Sequence, residues 1–211
     1  MTRRAGLILG IAVLLAGLGG VAVRQWWHDR PPYGPEALSA RATLRIVDQA
    51  TANAAFKPSG ADFAGDGDQI FLGQVAWDRP PRPQKGGSFR IVLLDKRSHL
   101  LPGHIAVTSA RPDDVFSGSD AAMDIAQERY PWLRGAGTRE INGSYWSTGD
   151  AVFAGVDASP VTFQIVLRPA REQTPPELAV PTAPAAVEDL LVALICVGPD
   201  GQVYWAQRLL H

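Results

Sequence analysis

Cysteine is almost missing from this sequence, with a single residue, Cys196, among 211. One thiol closes no internal disulfide and completes no thiolate metal site, which excludes a disulfide scaffold and a zinc-finger class. A surplus of either charge is missing as well. The 20 Lys+Arg and 21 Asp+Glu leave a formal net charge of -1, so the basic excess behind nucleic-acid binding is not there and no nucleic-acid partner is expected. Charged residues make up 19% of the chain and apolar ones 46%, too apolar a balance for a wholly disordered protein. Histidine is limited to His28, His99, His104 and His211, and Gly-x-Ser-x-Gly is absent. The nearest string, residues 116–120, reads Phe-Ser-Gly-Ser-Asp and lacks the glycines that form a nucleophile elbow. No internal repeat is visible, and the 21 Gly and 17 Pro follow no collagen-like period.

What the chain does have is a long apolar run. Residues 5–23 contain no charged and no polar side chain. As a helix they extend roughly 28 Å, close to the hydrocarbon thickness of a bilayer. Arg3 and Arg4 precede the run; Arg24, Trp26, Trp27 and Arg30 follow it, the paired tryptophans suiting the water–lipid boundary. The run is longer than the core of a cleaved secretory signal, and the pairs Gly20/Ala22 and Val21/Val23 make poor cut sites. An uncleaved signal anchor is therefore expected: residues 1–4 as a cytoplasmic tail and residues 5–23 spanning the bilayer. The rest then lies in the periplasm or another extracytoplasmic space, giving a single-pass protein of the inner membrane. The fifth residue after Gly6 is Ile11, not the glutamate of type IV pilins, so that family is excluded.

Residues 24–60 read as a juxtamembrane spacer, opened by Pro31-Pro32-Tyr33-Gly34-Pro35. A helix is expected over residues 36–56, although residues 44–48 taken alone could form a short strand. Residues 61–211 read as a mainly β domain. Strands are expected over residues 70–77, 89–94, 104–108 and 161–168, the last with Val161, Phe163, Ile165 and Leu167 inward and Thr162, Gln164 and Arg168 outward. Residues 190–197 are apolar throughout, implying a central strand, and Gly198-Pro199-Asp200-Gly201 is a turn into a final strand at 203–209. One helix is expected between Ser119 and Leu133, with Ala122, Ile125, Ala126 and Tyr130 inside. The proline-rich stretches 79–87 and 169–184 are surface loops. The fold class is thus a single membrane helix followed by a β-sandwich or open barrel with one or two short helices.

No catalytic, cofactor or metal set emerges. Ser88 or Ser109 with His104 has no third partner fixed by spacing, and His99 and His104 flank a turn rather than sharing a helix face. Asp62, Asp66 and Asp68 lack the calcium-loop pattern, and Cys196 sits in an apolar stretch as an inert thiol. Asn142-Gly143-Ser144 matches a glycosylation sequon, a reading weakened by the 17 Arg against 3 Lys of a GC-rich genome. The aromatic pairs Tyr145–Trp146 and Tyr204–Trp205 are the candidate contact residues: neighbours on a strand point oppositely, so one ring of each pair can pack while the other is displayed. These features imply a non-enzymatic interaction module in an envelope assembly of secretion, pilus, transfer or division type. An extracytoplasmic small-ligand or glycan binder is the alternative, and a tethered hydrolase using His99 or His104 the third.

Overall fold

The computed structural model describes residues 17–21, 23–24, 34–55, 64–65, 67–79, 87–100, 104–109, 111–118, 121–135, 138–147, 151–167, 176 and 184–210. Two compact units result, Met1–Pro32 and Tyr33–His211. In the first, residues 17–21 and 23–24 are helical, and Leu18, Val21, Val23 and Arg24 are exposed. Most of the expected membrane segment, with Trp26 and Trp27, lies outside the described residues. Among the described ones no helix is long and apolar enough to cross a membrane.

The second unit is mainly β. Its elements are β1 (Ala40–Val47), α1 (Gln49–Ala55), β2 (Gln69–Trp77), β3 (Ser88–Asp95), β4 (His104–Ser109), β5 (Val115–Gly118), α2 (Ala121–Arg129), β6 (Thr138–Ile141), β7 (Ser144–Ser147), β8 (Ala151–Gly155), β9 (Val161–Leu167), β10 (Leu190–Val197) and β11 (Val203–Leu210). One antiparallel sheet has the order β1-β2-β9-β4 and the other β11-β10-β3-β8-β5. Their inner faces share one core: Phe71, Val75, Phe163 and Ile165 from the first meet Phe89, Ile91, Val192 and Leu194 from the second. Among the described residues no ladder joins the sheets, although β4 approaches β5 and β1 approaches β11. The arrangement is a β-sandwich nearly closed along both sides.

The second sheet has a second covered face. Ala122, Met123 and Ala126 of α2, with Leu133, pack on Val92, Phe153, Leu191 and Ile195. Burial on both sides explains why every residue of β10 is apolar and buried, since neither face touches water. The turn into β11 forms as its residues dictate: Gly201 N–H donates to Gly198 O at 3.0 Å, and Gln202 N–H donates to the Asp200 carboxylate at 3.1 Å.

Three expectations need correction. The helix over residues 36–56 is replaced by β1 and the short α1. Burial alternates from Ala40 to Arg45, with Ala40, Ala42 and Leu44 turned inward and Arg41, Thr43 and Arg45 outward, a period of two that outweighs the imperfect helical stripe. Helix begins only at Gln49, where the Asp48 carboxylate accepts the Thr51 N–H at 2.7 Å. The β unit consequently starts before residue 61. Second, β9 is not half-exposed: it is flanked by β2 and β4, and Gln164 is 1% exposed on the face expected to be wet. Third, Met123 rather than Ile125 faces the core from α2, leaving Ile125 45% exposed.

Candidate functional site

Of the four aromatic residues expected to make contacts, Tyr204 and Trp205 are not available for that role. They are 9% and 4% exposed. Phe89 explains the burial of Trp205: its ring lies 5.9 Å from the indole and 5.0 Å, edge-on, from Trp77, so three aromatics run through the inter-sheet core. β11 is an edge strand, and the alternation argument fails because its register against β10 shifts between Trp205 and Val203, so that Tyr204 and Trp205 both join the inter-sheet core.

Tyr145 and Trp146 belong to a different structure. They lie on β7, which among the described residues pairs only with β6, as a two-stranded ribbon that shares no ladder with either sheet. Its register sets Tyr145 opposite Glu140 and Trp146 opposite Arg139. The tip is Asn142-Gly143 with φ of 52° and 77°. Positive φ at both central positions is the geometry whose twist matches paired strands, and Asn-Gly is the dipeptide that adopts it most readily. Glu140, Asn142, Gly143 and Ser144 are exposed. The same Asn-Gly pair, read only as part of a sequon, was the sequence signal for this hairpin.

A second surface was not anticipated. β5 is the four-residue edge of the second sheet, and its Phe116 is 60% exposed. The register places Phe116, Phe153 and Arg90 in one row across β5, β8 and β3. Phe116 stacks on Phe153 with centroids 4.7 Å apart and planes 5° apart, while the Arg90 guanidinium lies 4.1 Å from the Phe153 centroid. Phe153 is thus held between a displayed ring and a cation.

The outer face of the first sheet carries ordered rows. Thr43, Gln74, Thr162 and Thr108 form one row across β1, β2, β9 and β4; Arg45, Leu72, Gln164 and Ala106 form the next. Gln74 Nε2 donates to Thr162 Oγ1 at 3.4 Å. A depression of about 270 Å³ runs over Thr43, Arg45, Leu72, Gln74 and Thr162. Both amide atoms of Gln164 are buried without a hydrogen-bond partner among the described residues.

The densest polar cluster closes the end of β3. Asp95 is fully buried and accepts from Arg97 Nη2 at 2.8 Å, Arg97 Nε at 3.2 Å and the Arg97 N–H at 2.8 Å. Arg97 also reaches Asp189 at 3.9 Å and donates to Pro184 O at 3.4 Å. Its hydrogen bond to Asp95 raises the guanidinium pKa above an already high ordinary value. The cluster ties β3 to the turn that leads into β10, and a positive charge locked by two carboxylates at this depth is a structural pin rather than a reacting group.

His99 is exposed in the turn after β3, with φ of 56°, and His104 opens β4. Neither lines the depression over β1, β2 and β9, nor the one of about 300 Å³ beside Asp48, Asp68 and Gln69. Asp68 closes a local turn by accepting the Gly65 N–H at 2.9 Å, while Asp62 and Asp66 lie outside the described residues. Among the described residues no three His, Cys, Asp or Glu side chains converge as metal ligands. Cys196 is buried in the inter-sheet core. No protein-family model matches this chain, and no curated protein matches it.

Proposed function

We propose that this chain is a single-pass protein of the cytoplasmic membrane, anchored N-in by residues 5–23, whose β-sandwich lies outside the cytoplasm and acts by binding an envelope protein without catalysis. Support for the anchor comes from the uninterrupted apolar composition of that run, its arginine and tryptophan flanks, and the exposed Leu18, Val21 and Val23 on helical backbone. Tethering confines the sandwich near other membrane components and raises its effective concentration there, so a modest interface suffices.

The observation that carries the binding role is the β6–β7 ribbon. Two strands alone are marginal in water, and among the described residues this pair shares no ladder with either sheet, with Tyr145 and Trp146 on its second strand. The edge of a two-stranded ribbon can offer backbone donors and acceptors to a partner strand, and tyrosine and tryptophan are residue types that dominate interface energetics. The assembly is of secretion, pilus, transfer or division type. Support for the glycan-binding alternative is reduced, because Trp205, one of its two tryptophans, is buried.

The test replaces Trp146 with a photo-crosslinking amino acid in the full-length chain in cells. One recurrent envelope-protein adduct, lost in a Tyr145→Ala background with unchanged Tm, is the expected outcome. Only scattered, low-yield adducts would remove the ribbon from the account.

A further inference from the structure

The region where α2 ends and β11 passes beneath it carries cations and aromatics in contact. The Arg129 guanidinium lies 5.6 Å from the Tyr130 ring centroid, Tyr130 lies 5.9 Å from Trp132, and the Arg208 guanidinium lies 4.7 Å from Trp132. Arg134 follows two residues after Trp132. All three arginines are exposed, and both rings are half-buried. Arg129 Nη1 donates to Val203 O at 2.6 Å, which fixes α2 to β11. Among the described residues none of the three guanidiniums meets a carboxylate, whereas Arg79 and Arg111 pair with Asp157 and Arg97 with Asp95. One turn before Arg129 on α2, Ile125 is 45% exposed.

We propose that this patch binds the surface of an anionic lipid bilayer. Tyrosine and tryptophan are the residues that favour the headgroup level, where the ring is partly in hydrocarbon and its polar edge stays wet. A guanidinium close to a ring keeps N–H groups for phosphate oxygens and is more weakly hydrated than an ammonium group. An exposed isoleucine on the adjoining turn supplies an apolar group to insert. Glu128, exposed on the same helix, offsets one of the three charges. A nucleic acid fits less well, because the chain as a whole carries a net charge of -1. The inference rests on the membrane-anchored reading for its physiological setting: a tethered domain needs only weak affinity for the bilayer beside it.

The experiment holds the full-length chain in nanodiscs of phosphatidylcholine and adds vesicles either of phosphatidylcholine alone or of phosphatidylcholine and phosphatidylglycerol in equal parts. Flotation with the anionic vesicles alone, abolished by high salt, is expected. Arg134→Gln/Arg208→Gln, which removes no hydrogen bond described above, lowers the partition by about fivefold per arginine, the weight of one basic residue near an anionic surface. Arg41→Gln/Arg45→Gln, on the other sheet, leaves it unchanged. Equal flotation with both vesicle types, flotation with neither, or equal losses in the two double variants overturns the proposal. So does undiminished capture by soluble polyphosphate in competition with anionic vesicles, which makes the patch a general polyanion site. A chain that washes out of membranes yet still floats with anionic vesicles sinks the anchor and keeps the patch.

Discussion

Asp95→Ala is the most informative perturbation of the sandwich. Asp95 is fully buried and its side chain neutralises Arg97, whose own side chain is 22% exposed. Removing the carboxylate strips the guanidinium of two hydrogen bonds and its nearest negative charge, and removes the acceptor of the Arg97 N–H. Breaking a buried pair in this way costs about 3–5 kcal/mol, and the residual water contact of Arg97 places the cost near 3. For a unit of this size that corresponds to a Tm fall of roughly 6–12 °C, read by circular dichroism on the detergent-solubilised chain. The expected cause is an orphaned cation, so Asp95→Leu/Arg97→Met should recover most of the loss. If the single variant melts within about 2 °C of the parent, or if the double variant is as unstable as the single, the reasoning is wrong. The raised pKa of Arg97 fixes the sign with pH: its stabilisation is complete at all lower pH and declines only above its ordinary range, so this contribution is flat through neutrality.

Other consequences follow from single residues. Gln164→Met removes a buried amide that has no partner among the described residues and sits between Leu72 and Ala106, so it should stabilise by about 1–2 kcal/mol; a lower Tm would mean the amide is satisfied. Gly73→Ala drives a Cβ into the Phe163 ring and should destabilise by about 1–3 kcal/mol in the same melt, through overpacking; an unchanged Tm refutes that close approach. Hydrogen bonds from the Thr51 backbone and side chain hold the Asp48 carboxyl below its ordinary value of 3.8. Its capping of α1 is therefore complete above that value and lost as pH falls through the lower folded-state pKa, which an NMR titration of Asp48 and the α1 amides would show.

The long strands were legible because their physics is local. Residues 70–77, 89–94, 104–108, 161–167 and 190–197 are dense in β-branched and aromatic side chains, and the Pro-Asp-Gly turn points to its own hairpin. What was lost depended on distant chain. β1 reads ambiguously because Ala40 and Ala42 are too small to mark a face, and its inward side is defined only by the core it helps to cover. β5 and β8 are four and five residues long, with too few positions to show a period. The burial of Trp205 follows from Phe89, which is more than a hundred residues away in sequence and unknowable without the sheet order. Gln164 misled because polar residues alternating with apolar ones along a strand signal water, whereas Gln164 itself is buried between β2 and β4. The ribbon, by contrast, was readable from Asn142-Gly143.

The placement of the whole chain rests on residues 5–23, and one fractionation addresses it directly: sealed, cytoplasm-facing-out membrane vesicles are divided, one half washed with alkaline carbonate and the other half digested with protease. The account predicts that the polypeptide stays with the pellet and that its β unit is cut only once the vesicles are opened with detergent. Release into the wash, or loss of the β unit from intact vesicles, contradicts it.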